Sequence, residues 1–493
     1  MQRKNGDYQA ARKTYTEIIS RIQNEDQPEY QFDAYRGIAL TEIAQGNRKA
    51  AAQNLDSALQ VFERNRQKIW DENSRNRFFD REYEIYDAAI DFAYADNPQQ
   101  AFEYSERSRA KSLREVLSNT LQLNEAASPL SVIQSLLPHD VILLQYAVLP
   151  NQLLVWGISH ERFVSVKVPV QAATLETQVG QLFQAVSHRE TPIEKYRPLA
   201  QTLYRQLIEP LTDFIPSDAR LVIVPDKFLN YVPFSALISP KTNKYLVEHH
   251  ATILAPSAAV FLHCAENAAR KRSVQSERLL AIGNPRFDME AYPNLSNLPN
   301  AELEANEIAK LYARHKLLLN TQADEPTVIN EMKKADVIHL ALHGVTEPLS
   351  PLNSFLLLAR TDRRAGLDGR IQSHEIGFLK SLPARIVILS ACQSGVESYY
   401  RGEGMIGFSR SFLSVGVPTV IASFWAVDSS ATASLMIKFH QLFKNSNHLP
   451  TKALQQAQLS LMKGKQVEFN HPFYWASFSA FGGEIESNNL IKE

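Results

Sequence analysis

The sequence predicts an all-α helical-repeat domain followed by an α/β domain built on a mostly parallel sheet. Residues 1 to about 115 show amphipathic helical periodicity and almost no runs of β-branched residues. Beyond this region, short runs of Val, Ile and Leu alternate with helical segments. This alternation is typical of a doubly wound sheet whose parallel strands are buried on both faces.

The helical region repeats one unit, a helix-turn-helix. Ala34–Glu63 reads as two helices broken at a Gly-Asn pair, and similar phrases surround Ala11, Ala51 and Ala101. Their spacings of 40 and 50 residues are looser than the ~34-residue tetratricopeptide period, although the unit is the same. We expect Ala51 and Ala58 to lie where paired helices cross closely. The region is therefore predicted to be tetratricopeptide-like, and the alternative is an antiparallel helical bundle that braces the second domain.

The composition argues against several classes of protein function. The 493 residues are 44% hydrophobic and 21% charged, with a formal net charge of −1, which argues against a general nucleic-acid binder. Cys264 and Cys392 are the only cysteines, too few for a disulfide framework or a thiolate zinc site. The first twenty residues lack a signal-peptide core, and no apolar run reaches the ~20 residues of a membrane helix. We expect a cytoplasmic protein without direct membrane or nucleic-acid contacts.

A polar, proline-containing segment follows the helix that ends near Leu117 and marks the predicted domain boundary. The basic residues before it, Arg107, Arg109 and Lys111, are interpreted as a solvated helix face. The predicted organisation is helical repeats over 1–117, a linker over 118–135, the α/β domain over 136–485 and a polar tail over 486–493.

Strands of the α/β domain are predicted from continuous apolar runs. They comprise an antiparallel meander after Asp140, strands over 220–226, 278–285 and 315–320, three buried strands over 337–344, 384–395 and 417–428, a hairpin insert over 354–372, and a last strand over 471–483. A helix over 301–313 separates two of these strands.

A histidine and a cysteine follow two of the three buried strands. His343 and Gly344 end the first run, and Cys392 ends the second. Because parallel strands deliver their carboxyl ends to one edge, the two side chains can meet there as a thiol nucleophile and its base. The N–H groups of Gly344 and Cys392 could bind the developing oxyanion. By contrast, His339 and Cys264 are interpreted as core residues.

These motifs resemble the CHAT family, the caspase-like peptidase module commonly carried behind tetratricopeptide repeats. The resemblance rests on His-Gly after one strand, LSACQSG after the next, and the stretches from Arg401 to Asp428 and from His471 to Phe478. It implies the caspase–hemoglobinase fold, with His343 as general base and Cys392 as nucleophile. The chain departs from the family at Leu342, at Gln393-Ser394 and at Ser429. None of these changes removes a reactive group, but substrate preference is left open.

Asp428 ends the third strand and is predicted to stand beside the scissile bond. In the related separases an acid in a similar context lines the P1 pocket and selects a basic residue, so the resemblance implies cleavage after Arg or Lys. The alternative is that Asp428 caps the following helix. Trp425 is interpreted as a wall of the substrate pocket or a core residue.

A glycine pattern, Gly402 to Gly407, matches the dinucleotide fingerprint in letters only. The fingerprint must follow its strand directly, and here eleven residues intervene. We therefore interpret it as a loop that opens a helix over Met405–Val415.

The sequence thus predicts a cysteine endopeptidase that uses a Cys/His dyad and no metal or organic cofactor. Its helical repeats are expected to bind the protein substrate or a regulatory protein partner, because stacked helices offer an extended concave surface. The alternative is a catalytically silent scaffold that acts through the repeats.

Overall fold

The structure is a computed structural model. It describes residues 5–22, 27–69, 83–121, 129–271, 276–347, 350–360, 367–391, 398–400, 404–426, 428–445, 449–464 and 466–484. Cys392, Gln393, Ser394 and the predicted tail over 486–493 lie outside these ranges.

The chain divides into two compact units, Met1–Ser112 with Tyr400–Gly402, and Leu113–Tyr399 with Glu403–Glu493. The described helices of the first unit are α1 (Tyr8–Arg21), α2 (Pro28–Ala44), α3 (Arg48–Lys68), α4 (Glu84–Tyr94) and α5 (Pro98–Arg107).

Consecutive helices of the first unit pack in pairs, as the repeat pattern predicts. The turn between α2 and α3 contains Gly46 with φ of +75°, a conformation that glycine adopts without strain. Ala51 and Ala58 of α3 are fully buried, and so is Ala101 of α5. These small side chains allow neighbouring helices to approach closely, which confirms the tetratricopeptide-like reading of the sequence.

The interpretation of Arg107, Arg109 and Lys111 as a solvated face is wrong. The helix breaks after Arg107, and α6 (Lys111–Leu121) starts anew, so the three side chains do not share one face. Arg109 is only 3% exposed, while Arg107 and Lys111 lie 3.3 and 2.6 Å from Glu63. Burial raises the pKa of the Glu63 carboxyl, but the two cations outweigh it and bring that pKa down to about 2.

The strands of the sheet and of two small accessory sheets lie in the second unit, except for Tyr400 at the end of β13. They are β1 (Val141–Leu149), β2 (Gln152–Ile158), β3 (Phe163–Val168), β4 (Arg220–Val224), β5 (Thr252–Leu254), β6 (Arg278–Pro285), β7 (Arg314–Asn320), β8 (Val337–Ala341), β9 (Gly344–Val345), β10 (Phe355–Leu357), β11 (Arg370–Gln372), β12 (Ile386–Ser390), β13 (Ser398–Tyr400), β14 (Gly404–Ile406), β15 (Thr419–Ser423) and β16 (Phe478–Gly482).

Helices of the second unit connect these strands. They are α7 (Leu130–Leu136), α8 (Ala172–Val186), α9 (Ile193–Leu207), α10 (Ala258–Arg270), α11 (Pro299–Lys310), α12 (Glu325–Met332), α13 (Ser373–Gly377), α14 (Phe408–Ser414), α15 (Ser429–Asn445), α16 (Pro450–Met462) and α17 (Pro472–Trp475). Of the predicted linker, residues 118–121 end α6 and residues 130–135 begin α7.

Eleven strands form one sheet in the order β3-β2-β1-β4-β5-β16-β15-β12-β8-β6-β7. Neighbours are parallel except in the meander β1-β2-β3 and between β15 and β16, which confirms a mostly parallel sheet. The strands β8, β12 and β15 lie side by side, with Ile388 opposite both His339 and Ile421. Their carboxyl ends therefore share one edge.

Two predicted elements have different bounds. The segment over 471–483 is not one strand, because the His471 side chain and Pro472 begin the short helix α17 before β16 starts. The helix predicted over Met405–Val415 begins only at Phe408, since residues 404–406 form β14 and pair with β13. The predicted hairpin insert is present as β10 and β11, which are antiparallel.

Within the described residues, no helix is both long and apolar enough to cross a lipid bilayer.

Candidate active site

The candidate site lies at the edge of the sheet where β8, β12 and β15 end. His343 and Gly344 follow β8, Ala391 follows β12, and Trp425 follows β15. Cys392 comes next after Ala391 in the chain but lies outside the described residues. The described part of this edge therefore shows the surroundings of His343, Gly344 and Trp425, and the dyad itself stays a prediction.

His343 is held at both its backbone and its ring. Its Nε2 lies 2.7 Å from the carbonyl oxygen of Ser296, and its own carbonyl accepts the N–H of Leu357 at 2.9 Å. The ring of Phe287 meets the imidazole edge to face, with centroids 5.2 Å apart. Since a carbonyl can only accept, Nε2 must carry a proton, so in the neutral imidazole Nδ1 is the nitrogen with a free lone pair. The tautomer follows from the partner. The half-buried ring thus keeps one nitrogen that can accept a proton, as the predicted role of general base requires.

Gly344 belongs to a short antiparallel sheet in which β9 pairs with β10. The bond from Leu357 N–H to the carbonyl of His343 flanks the Gly344–Leu356 pair, which makes that pair a non-hydrogen-bonded one. The N–H of Gly344 therefore points away from β10. It is not consumed by the β9-β10 ladder, as a donor to an oxyanion must not be.

A small apolar cluster supports His343 and Gly344. Phe287, from the loop between β6 and α11, packs with Phe355 and Leu357 of the hairpin. An ion pair of 3.0 Å between Asp288 and Arg360 also joins the loop to the hairpin. Because this loop bonds the imidazole of His343 and the hairpin pairs with β9, the cluster fixes the base relative to the glycine N–H.

Asp428 caps α15. Its Oδ1 accepts the N–H groups of Ser430 and Ala431 at 2.9 and 3.2 Å, and the Ser430 hydroxyl at 2.5 Å. The bond from Ser430 is the main reason that the pKa of the Asp428 carboxyl lies below its usual 3.8, and Arg189 contributes through its charge. No described residue bonds Oδ2. The capping alternative is thus realised through Oδ1.

Trp425 is only 3% exposed. Its indole N–H donates to the carbonyl of Phe473 at 3.0 Å, and Phe183 meets its ring edge to face at 5.6 Å. The indole is therefore buried just beyond the end of β15, with its donor already used.

The sequence model of the CHAT domain family matches residues 197–483, more than half of the chain. The chain belongs to the CHAT domain family. Its α/β unit contains the CHAT domain, and the helical unit before it is tetratricopeptide-like.

Curated relatives of this CHAT protein are tetratricopeptide repeat protein 28 of Homo sapiens and of Mus musculus. The human protein is 23% identical over 335 residues, which cover 59% of this chain and 13% of the relative. The mouse protein is 23% identical over 338 residues, which cover 59% of this chain and 14% of the relative. The chain thus spans about one seventh of the length of these relatives.

The fold is caspase-like. A chain of the Saccharomyces cerevisiae separase–securin complex superposes with a TM-score of 0.52 at 11% identity, over 89% of this chain and 38% of that one. At this identity the likeness concerns the fold alone.

Two of the three departures from the CHAT pattern, Leu342 and Ser429, lie among the described residues. Leu342 is 2% exposed and packs in the core before His343. Ser429 opens α15, and its hydroxyl accepts the side-chain N–H of Asn300 at 2.7 Å. Gln393 and Ser394 lie outside the described residues. The described changes therefore leave the surroundings of His343 intact.

The residues assigned to the core from sequence are in the core. His339 is fully buried in the middle of the sheet, and Cys264 is 1% exposed on α10, where burial raises the pKa of its thiol to about 12. Among the described residues, no group of three or more His, Cys, Asp or Glu could hold a metal ion.

The partner of His343 was not predicted from sequence. Ser296 acts through its backbone carbonyl and lies 47 residues away from the histidine, so no side-chain motif announces it. The contact of Phe287 with His343 had a weak sequence signal, because Phe287 is an aromatic residue just beyond the end of β6, the strand that runs beside β8.

Proposed function

We propose that this CHAT protein is a cysteine endopeptidase with Cys392 as nucleophile and His343 as general base. The observation that carries the proposal is the 2.7 Å contact between Nε2 of His343 and the Ser296 carbonyl. It leaves Nδ1 as the basic nitrogen at the edge where β12 leads into Cys392. A thiol of ordinary pKa, ~8.5, needs such a base to attack at neutral pH.

The reaction proceeds in two stages. Nδ1 of His343 takes the thiol proton, and the sulfur attacks the scissile carbonyl carbon. The C–N bond then breaks as the imidazolium returns the proton to the leaving amine, which leaves a thioester on Cys392. Water, deprotonated by the same imidazole, hydrolyses the thioester and releases the carboxylate product and the thiol. The N–H groups of Gly344 and Cys392 stabilise the oxyanion in each stage.

Asp428 gives the site its preference for a basic P1 residue. Its Oδ1 is occupied by the cap, and Oδ2 is the oxygen that would receive Arg or Lys of the substrate. Trp425, fixed by Phe473 and Phe183, forms the apolar wall along the stem of such a side chain.

The helical repeats serve recognition in this proposal. Residues 1–117 bind the substrate protein or a regulatory protein. Residues 118–135, partly helical, connect them to the peptidase domain over 136–485, and 486–493 are a polar tail. Site and repeats need no metal or cofactor, and the protein acts in the cytoplasm.

An activity-based probe tests the dyad. The full chain is incubated with a peptidyl acyloxymethyl ketone that has Arg at P1, and covalent labelling is measured. The Cys264→Ala chain is the matched control, because it loses the other cysteine. We expect labelling of the wild type and of Cys264→Ala, none of Cys392→Ala, and at least a tenfold slower reaction of His343→Gln. Equal labelling of Cys392→Ala and wild type would refute the proposal.

A second variant tests the P1 assignment. Asn caps helices as well as Asp does, so Asp428→Asn removes the charge and keeps α15. We expect kcat/KM for an Arg substrate to fall about 10- to 100-fold, with little change for a neutral P1 residue. Ser430→Ala is the control, since it weakens the cap and keeps the carboxylate. An unchanged P1 profile of Asp428→Asn would reject the pocket role.

A scaffold without catalysis is the second candidate function. It is favoured by the names of the curated relatives, which refer to tetratricopeptide repeats and to no peptidase. The probe discriminates between the two: a wild-type chain that is never labelled, even after incubation with a partner captured by its repeats, supports the scaffold.

A further inference from the structure

One buried side chain holds the end of the loop that bonds the imidazole of His343. Asn284, near the end of β6, is 9% exposed and adopts φ of +50°, a left-handed conformation in which Asn is enriched among non-glycine residues. Its Oδ1 accepts the N–H of Leu298 at 2.8 Å. Its Nδ2 donates to Oε2 of Glu302, on α11, at 3.1 Å. One amide group therefore joins the strand, the end of the loop and the helix that follows.

The amide group can make these two bonds in one orientation only. A backbone N–H can only donate, so the atom that faces Leu298 must be the oxygen, and the Glu302 carboxyl then receives the NH₂ group. Leu298 directly precedes α11, and its carbonyl accepts the N–H groups of Ala301 and Glu302 at 3.0 and 3.2 Å. Leu298 is thus bonded to β6 through its N–H and to α11 through its carbonyl.

The bond to Leu298 acts on the partner of His343 through a short piece of backbone. The Ser296 carbonyl and the Leu298 N–H belong to the two peptide units that share the Cα of Asn297. Each unit is planar, so only two dihedral angles separate the two groups. On the other side of Ser296, Leu295 packs against the small apolar cluster of the hairpin. The carbonyl that faces His343 therefore lies between two fixed points.

We propose that Asn284 is a positioning residue for the general base, because it aims the Ser296 carbonyl at Nε2 of His343. When the bond to Leu298 is lost, the peptide units around Asn297 can turn, and the 2.7 Å contact opens. The imidazole is then free to rotate, and Nδ1 loses the orientation in which it takes up a proton. This inference rests on the proposed function, since it concerns His343 as the base.

The contact between His343 and Ser296 has a spectroscopic signature that does not depend on catalysis. An imidazole N–H held by a carbonyl exchanges its proton with water more slowly than an unbonded one. In the full chain with isotopically labelled histidine, nuclear magnetic resonance should therefore show the Nε2–H signal of His343. The signal is assigned by its absence from His343→Gln.

Asn284→Gly tests the role, because glycine adopts the same φ without strain and removes both bonds. We expect kcat for a peptide substrate to fall about 10- to 100-fold, KM to stay within about twofold, and the Nε2–H signal to vanish. Asn320→Gly is the matched control. Asn320 ends β7 with φ of +51°, its side chain bonds Glu302 at 3.4 Å, and its carbonyl bond from the Arg286 N–H survives the change. Its kcat and signal should equal those of the wild type.

An exchange of donor and acceptor provides the rescue. Asn284→Asp keeps an acceptor for the Leu298 N–H but places a second carboxyl group beside Glu302, so kcat should fall at least about fivefold. Adding Glu302→Gln turns the partner into a donor and restores both bonds, so kcat and the signal should return to within about twofold of the wild type. If circular dichroism shows that Asn284→Gly does not fold, this pair of variants decides the role.

The outcomes are distinguishable. If kcat and the signal do not fall together in Asn284→Gly, the positioning role is overturned and the proposed function stands. Equal values for Asn284→Asp and the double variant overturn the role as well, as does a wild type without the signal. A wild-type chain that shows the signal but hydrolyses no peptide overturns the proposed function and the inference with it.

Discussion

We predict that replacing His440 by glutamine makes the CHAT domain less sensitive to mild acid. His440 is fully buried on α15, and its Nδ1 lies 3.0 Å from the hydroxyl of Tyr312. Its Nε2 lies 3.2 Å from Nδ1 of His339, whose Nε2 is 2.9 Å from Glu304. A neutral imidazole accepts at one ring nitrogen and donates at the other, so His440 can bond both Tyr312 and His339 without carrying a charge.

The sign and size of the acid effect follow from linkage. Burial, and after it the nearby His339 and Arg385, hold the pKa of His440 well below its usual 6.5. Below pH 6.5 the unfolded chain takes up a proton that the folded chain refuses. The free energy of unfolding therefore falls as the pH drops through 6.5, and it is unaffected above that value. For one such histidine the loss between pH 7.5 and 5.5 is about 1.4 kcal/mol.

The assay is urea unfolding at pH 7.5 and at pH 5.5, followed by near-UV circular dichroism. Gln offers one donor and one acceptor and does not titrate, so the variant should lose about 1.4 kcal/mol less than the wild type on acidification. Tyr312→Phe is the control, because it removes a contact of the row and leaves His440 titratable. If wild type and His440→Gln respond equally to pH, His440 is not the group that resists protonation, and the reasoning fails.

Three further substitutions test the stability of the fold, one at a buried carboxyl and two at glycines. Burial and the neighbouring Glu375 raise the pKa of Glu325 from 4.5 to about 7, so the free energy of unfolding falls as the pH rises from 4.5 to about 7. Glu325→Gln should gain about 1–2 kcal/mol at pH 8, after allowance for solvent screening, and nothing near pH 4.5, measured by urea unfolding. Gly482 has φ of +106°, and a Cβ there would lie 2.2 Å from the Pro418 carbonyl. Gly482→Ala should cost about 3 kcal/mol or more in thermal unfolding, whereas Gly180→Ala, in open space on α8, should gain about 0.5–1 kcal/mol.

The central strands were predictable because their residues are mostly of types that favour strands and are almost all apolar. Val337–Ala341 and Ile386–Ser390 are rich in Val, Ile and Leu and almost wholly apolar, which is typical of a strand buried on both faces. His343 and Gly344 could then be placed at the edge of the sheet, because they directly follow the predicted end of the strand. Direction and neighbour followed from the parallel alternation, and the structure confirms them.

What escaped prediction depends on backbone groups and local breaks. The carbonyl of Ser296 bonds His343 through a loop, and any residue type supplies a carbonyl. The break after Arg107 was missed because basic residues are good helix formers, yet Ala110 adopts φ of +46° and ends the run. The charges nearby then turn inward to Glu63. A sequence pattern reports periodicity, and neither of these features is periodic.

The antiparallel pair of β15 and β16 explains how a distant segment comes to wall the site. In a wholly parallel sheet, only segments that follow strands reach the edge where His343 lies. Because β16 runs against β15, its start at Phe478 lies opposite Ser423, at that same edge. The segment before β16 is thereby placed beside the end of β15, where Phe473 accepts the Trp425 indole N–H and the Ser477 carbonyl accepts the Phe424 N–H at 2.7 Å. One reversed strand thus brings the chain's last described helix to the candidate active site, which no strand order with a single direction would do.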